Sequence, residues 1–150
     1  MSLFRKKEFF TDAERQSIIN AVREAEQRTS GEVRVFVEHH CRYVDAIDRA
    51  VEIFARLQMD KTELRNGVLV YVATKDRQLA IFGDEGIHQK VGDQYWQHEV
   101  MKLITAFNRK NVPEGIRQCV LDVGEALCTH FPYDKDTDKN ELPDDIVFGR

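Results

Sequence analysis

Residues 66–87 read NGVLVYVATKDRQLAIFGDEGI, and the fold turns on how this stretch is divided. GVLVYVAT is an almost unbroken apolar run of strand-forming residues, the pattern of a strand covered on both faces. KDRQ is a tight charged turn and QLAIF a return strand, so the segment predicts an antiparallel hairpin. The next four residues, Gly83-Asp84-Glu85-Gly86, are more than a hairpin needs. They read as a simple turn or as one wall of a site.

Outward from the hairpin the pattern alternates. Thr11-Asp12-Ala13-Glu14 has capping-box spacing, and Ile18, Ile19, Val22 and Ala25 recur at helical intervals. TSG at residues 29–31 ends that helix, and EVRVFVE predicts a strand over 32–38. YVDAIDRAVEIFARL predicts a second helix with Ile47, Val51, Phe54 and Leu57 on its inner face. QMDKTELRNG is a polar connector ending in an Asn-Gly turn signal. Beyond the hairpin, VGDQYWQHEVMKLITAF predicts a third helix with Asp93 as cap and Trp96, Val100, Leu103, Ile104 and Phe107 buried. NVPEGIRQCVLDVGEALCTHF predicts a fourth, opened by Pro113, with Ile116, Val120, Val123 and Leu127 inward.

The order α-β-α-β-β-α-α predicts an α/β fold: a single-domain α/β/α sandwich on a small mixed sheet, a parallel βαβ unit plus an antiparallel hairpin strand. We place the domain at residues 9–131, between an N-terminal segment, 1–8, and an acidic tail, 132–150. The tail regains hydrophobicity at Ile146, Val147 and Phe148, which suits docking on the domain or on a partner. Its DKDTDKNELPDD resembles the start of a calcium loop, but Lys139 stands where the turn glycine belongs.

Composition narrows function. With 42% hydrophobic and 32% charged residues the chain is globular, and a formal charge of −4 gives no case for nucleic acid. Cys41, Cys119 and Cys128 are odd in number and show no CxxC spacing, which suits a reducing, cytoplasmic setting. No apolar core comes after Arg5-Lys6-Lys7, and no stretch approaches the roughly 18 apolar residues of a membrane span.

The topology predicts two clusters at opposite sheet edges. One gathers Glu38, His39 and His40 with Lys75, Asp76 and Arg77. It has the position of an α/β ligand site but lacks the glycines of a dinucleotide grip. His39-His40-Cys41 offers zinc donors, but neighbouring side chains at a strand end point apart, so a zinc site there needs a further His or Cys from elsewhere in the chain. The other gathers Glu32, Asp60, Thr62, Glu63, Asn66, Asp84 and Glu85, oxygen donors suited to Ca2+ or Mg2+. Solvated acidic loops are the plainer reading of the same residues.

FTDAER, TSGEVRVFV, NGVLVYVA, KDRQLAIF and GDEGI, in that order and spacing, resemble the TPM domain family. The resemblance covers about residues 9–131 and implies a small α/β/α sandwich, consistent with the pattern above. It implies calcium binding near the strand ends and, for some members, acid phosphatase activity. Many members are secreted or membrane-tethered, whereas this chain shows neither a signal peptide nor a C-terminal membrane helix. Where the family has a Gly-Tyr-Gly segment this chain has Gly83-Asp84-Glu85-Gly86. Two functions stand. One is an interaction module with a divalent-cation site at Asp60, Asn66, Asp84 and Glu85. The other is a hydrolase of phosphate esters that uses the same cation. The module is favoured, because spacing identifies neither a nucleophile nor a general base. The sequence names no protein partner and no oligomeric state.

Overall fold

A computed structural model describes residues 9–133 and 146–149. Helix α1 spans Asp12–Gln27, and its capping box is complete: Thr11 Oγ1 accepts from Glu14 N–H, and Glu14 accepts from Thr11 N–H. Strand β1 is Glu32–Glu38, helix α2 Ala46–Arg56 and strand β2 Gly67–Ala73, with a 3-10 turn at Met59–Lys61 between the last two. Strand β3, Gln78–Gly83, completes the hairpin. Helices α3 (Glu85–Val91), α4 (Asp93–Asn108) and α5 (Val112–His130) come next, and a short strand β4 is Val147–Phe148.

The sheet order is β3-β2-β1-β4. Strands β1 and β2 pair in parallel from Glu32↔Gly67 to Glu38↔Ala73, and β2 pairs antiparallel with β3 from Val68↔Gly83 to Ala73↔Gln78. The sandwich is the predicted one. Every residue of β2 is buried. Val68, Val70 and Val72 pack with β1 valines against α1, α4 and α5, while Leu69, Tyr71 and Ala73 pack under α2. Two covered faces require the continuous apolar run that GVLVYVA supplies.

Several elements differ from the sequence reading, or sharpen it. First, α2 buries Ala46, Ala50, Ile53 and Phe54, whereas Ile47 and Val51 are each 42% exposed. The two small alanines let the helix lie close on the strands, which rotates the larger residues toward the flank. Second, α4 leaves Ile104 exposed and buries Glu99, and no side chain caps it; Gly92 is its cap at φ 79°. Third, the end of the tail, expected to dock on the domain or on a partner, docks on the domain and does so as a strand. Val147 and Phe148 pair in parallel with Phe36 and Val37, and Phe148 stacks on Phe9 at 5.1 Å between centroids. Residues 134–145, with the calcium-loop resemblance, lie outside the described residues.

Candidate functional site

The chain turns from β3 into the short helix α3 at Asp84. Asp84 N–H donates to the Gly67 carbonyl (2.9 Å), which carries the hairpin ladder one step beyond the strand. The Asp84 side chain then caps α3, accepting from Glu85 N–H at 2.8 Å. GDEGI is therefore neither a free turn nor a bare acidic loop. The sequence signals of this missed helix are an N-cap acid at Asp84 and a terminating glycine at Gly92.

Both glycines of the segment are dictated by close approach. A Cβ on Gly83 would lie 2.3 Å from the Trp96 ring, and one on Gly86 would lie 2.1 Å from the Leu64 carbonyl. Gly86 N–H donates to the Arg65 carbonyl at 2.9 Å, so the start of α3 rests on the loop before β2.

That loop delivers Arg65, which sequence reading overlooked. Arg65 sits in the left-handed region at φ 52°. It extends its guanidinium across to Asp84. Nε donates to Oδ2 at 2.7 Å and Nη2 to Oδ1 at 2.9 Å, a two-pronged pair with a carboxylate only 4% exposed. Glu85 Oε1 is 3.5 Å from Nη1. The guanidinium is held above its ordinary proton affinity by the Asp84 hydrogen bond first, and Glu85 and Asp60 add to it. Three of the expected ligands thus surround a positive charge that belongs to the protein. The fourth, Asn66, is 1% exposed and turned to structure: its side-chain amide donates to Ser30 Oγ at 3.3 Å and its backbone carbonyl accepts from Glu32 N–H. These residues do not fit a tightly held resident divalent ion as they stand. Both Asp84 oxygens are taken by the guanidinium, and a second cation beside Arg65 would be repelled.

Next to this pair lies a cleft of about 560 Å³. Arg65, Asp84, Glu85, His88 and Asp93 form its polar side, and Ile47, Ile81, Phe82 and Trp96 its apolar side. Trp96, the one tryptophan of the chain, donates its indole N–H to His88 Nδ1 at 3.0 Å. His88 Nε2 lies 3.5 Å from Asp93 Oδ1. The imidazole is thereby fixed by neighbours on both nitrogens, and Asp84 by Arg65.

The cleft opens along the outer edge of β3. Because Asp84 bonds to Gly67, the alternation of an antiparallel ladder turns the N–H and C=O groups of Leu79, Ile81 and Gly83 away from β2. Exposed Ile47 and Val51 of α2 flank this edge on one side, and Met101 and Ile104 continue the line of Gln97 on α4 on the other.

The opposite sheet edge assembles as the topology predicts. Lys75 N–H donates to the His39 carbonyl, His40 Nδ1 lies 2.9 Å from Asp76 Oδ1, and Cys41 N–H donates to Asp76 at 2.7 Å. Glu38, 4% exposed, is gripped by both arms of Arg49 at 2.9 and 3.0 Å and accepts from the Tyr71 hydroxyl. His39 stacks on Phe9. Among the described residues no three His, Cys, Asp or Glu side chains are grouped to hold a metal ion, and no helix is long and apolar enough to cross a membrane.

Comparison with known proteins agrees with this architecture. The NMR structure of the BA42 protein from the psychrophilic bacterium Bizionia argentinensis is similar over 97% of this chain and 99% of that one, with 40% identity and a TM-score of 0.86. The N-terminal domain of the cg2496 protein from Corynebacterium glutamicum shares the fold at 12% identity, with a TM-score of 0.57 over 95% of this chain and 94% of that one. No curated protein sequence matches. The TPM domain profile matches residues 3–126, most of the chain and all of the sheet except β4, and the protein therefore belongs to the TPM domain family.

Proposed function

We propose that the protein is a binding module whose working surface is the cleft at the end of β3 together with the open edge of that strand. The observation that carries this reading is the arrangement itself. The outward backbone groups of Leu79, Ile81 and Gly83 lie between two apolar flanks and end at a polar cleft. An extended segment of a protein partner adds there as a strand, its backbone held by the edge and its side chains by the flanks. The hydrolase reading is the weaker one, because Asp84 and His88 are both engaged by neighbours.

A Ca2+ or Mg2+ ion binds at Asp60, Asn66, Asp84 and Glu85 only in competition with Arg65, so the arginine sets the affinity. The three cysteines without CxxC spacing support a cytoplasmic setting for the module.

Trp96 makes the cleft readable by fluorescence. Peptides selected on the immobilised protein from a random display library are expected to change Trp96 emission and to shift the amide signals of Leu79, Ile81 and Gly83. Binders that map elsewhere, or a selection that yields none, overturn the reading. So does turnover of an aryl phosphate ester, with calcium or magnesium, that disappears in Asp84→Asn.

A further inference from the structure

We propose that a proton on Glu99 gates the cleft, keeping Trp96 in its place there while it is present and releasing the indole when it leaves. This rests on the binding-module reading and adds its regulation. Glu99 lies in the seam between α4 and α5, outside the cleft itself. Its side chain is 3% exposed, and Oε1 has no hydrogen-bond partner among the described residues. Asp122 of α5 faces it, and a protonated Glu99 donates to that carboxylate. One cation, Lys102, serves both acids, 3.3 Å from Glu99 Oε2 and 2.9 Å from Asp122 Oδ2. Cys119 of α5 and Tyr95 of α4 are the other ionisable neighbours. Strand β3 carries no titratable residue; on α3, Glu85 and His88 are engaged at the cleft and Lys90 is exposed, as is His98 of α4. With the proton, the seam holds a carboxyl bonded to a carboxylate. Without it, two like charges share one ammonium and a buried oxygen lacks a donor, so the seam must open to admit water.

Two consecutive residues join the seam to the cleft. Tyr95 sends its hydroxyl to the Asp122 carbonyl at 3.2 Å, and its ring meets that of Trp96 edge-on, 5.0 Å between centroids. Trp96 lies one turn before Glu99 on the same helix. It rests so closely on Gly83 that no Cβ fits between them, and it donates to His88 Nδ1 at 3.0 Å. Helix α4 is continuous from Asp93 to Asn108, so it cannot draw away from α5 at Glu99 without carrying Trp96 off Gly83 and His88. Those three residues line the cleft. Loss of the proton therefore unmakes the surface the partner uses, and a partner that needs this surface in turn raises the proton affinity of Glu99.

Trp96 is the single tryptophan, so its emission and its indole N–H signal report on the cleft directly. In the free chain both are expected to change as pH rises through about 7, where burial first and Asp122 next place the Glu99 carboxyl. Glu99→Gln keeps the shape without the charge and should hold the low-pH signal throughout. Asp122→Asn removes the facing charge and should move the midpoint to lower pH. A peptide selected on the cleft should bind wild type about tenfold more weakly above the transition than below it, and should bind Glu99→Gln equally at both. His88, the ionisable ring against the indole, is kept in both variants. A Trp96 transition that survives Glu99→Gln thus belongs to His88 and overturns the proposal. So does a Trp96 signal that ignores pH, or a peptide affinity for wild type that does. The Trp96 transition needs no partner: if it vanishes with Glu99→Gln but no peptide is ever selected, the module reading falls and the proton-linked movement of Trp96 stands.

Discussion

Arg65 and Asp84 bind each other across two chain segments that meet only because β2 and β3 form a hairpin. Asp84 caps a helix, closes a ladder and neutralises an arginine within one residue. Removing the guanidinium leaves a buried negative charge without its partner. Arg65→Met is expected to destabilise the chain, but less than for a fully buried pair because Arg65 is 44% exposed. It should also raise calcium affinity, since the tethered competitor is gone. Thermal melting with and without millimolar calcium checks both: the variant melts lower in chelator and regains more than wild type when calcium is added. Gly83→Ala probes the neighbouring contact. Its Cβ meets the Trp96 ring at 2.3 Å, so either the indole or the strand must move. A cost of about 1–3 kcal/mol in denaturant unfolding is expected, with altered Trp96 emission in the folded state. At this scale the sequence was half legible. Asp84 and Glu85 stood out by charge, and topology placed them beside the loop before β2. Arg65 did not stand out, because nothing local marks which arginine among many reaches back across a hairpin.

Between elements, the α4–α5 contact carries the clearest pH dependence. Glu99 is buried on α4, with its Oε1 out of reach of any described donor when ionised. Burial first, then the nearby Asp122, pushes its carboxyl up to about 7. Asp122 stays ionised: burial raises it, but Lys102 at 2.9 Å and the Glu99 proton outweigh that. The folded chain thus holds the Glu99 proton to higher pH than the unfolded chain. That contribution is complete below the ordinary value near 4.5 and is lost as pH rises through about 7. Urea unfolding should show stability falling over this window by about 2 kcal/mol, and Glu99→Gln should flatten the fall. A slope that survives the substitution assigns it to another group. Periodicity identified α1, α5 and the hairpin, where large apolar residues face the core and polar ones do not. It misplaced the inner face of α2, because alanines at 46 and 50 carry little hydrophobic signal yet allow the closest approach. It also missed Glu99, which sits on the buried stripe of α4 as an acid.

For the whole molecule, the sandwich could be read from the order of helices and strands, whereas the fourth strand could not. Two residues are too short for any period, and their meaning comes from Phe36 and Val37 in β1. Ending the chain after Tyr133 removes β4 and its contacts with Phe9 and Phe10. The shortened chain is expected to keep its fold but melt lower, by an amount equivalent to about 1–3 kcal/mol for the lost apolar burial around Ile146 and Phe148. Scanning calorimetry checks this; an unchanged melting temperature would mean that β4 contributes nothing to stability.

The pairing of β4 with β1 also bears on how the protein is made. Strand β1 leaves the ribosome well before β4, the short strand that joins it. Until Val147 and Phe148 have emerged, the β1 side of the nascent sheet presents Phe36 and Val37 as an open backbone edge. Their arrival covers that edge, so this short segment acts as a seal against misassembly during synthesis.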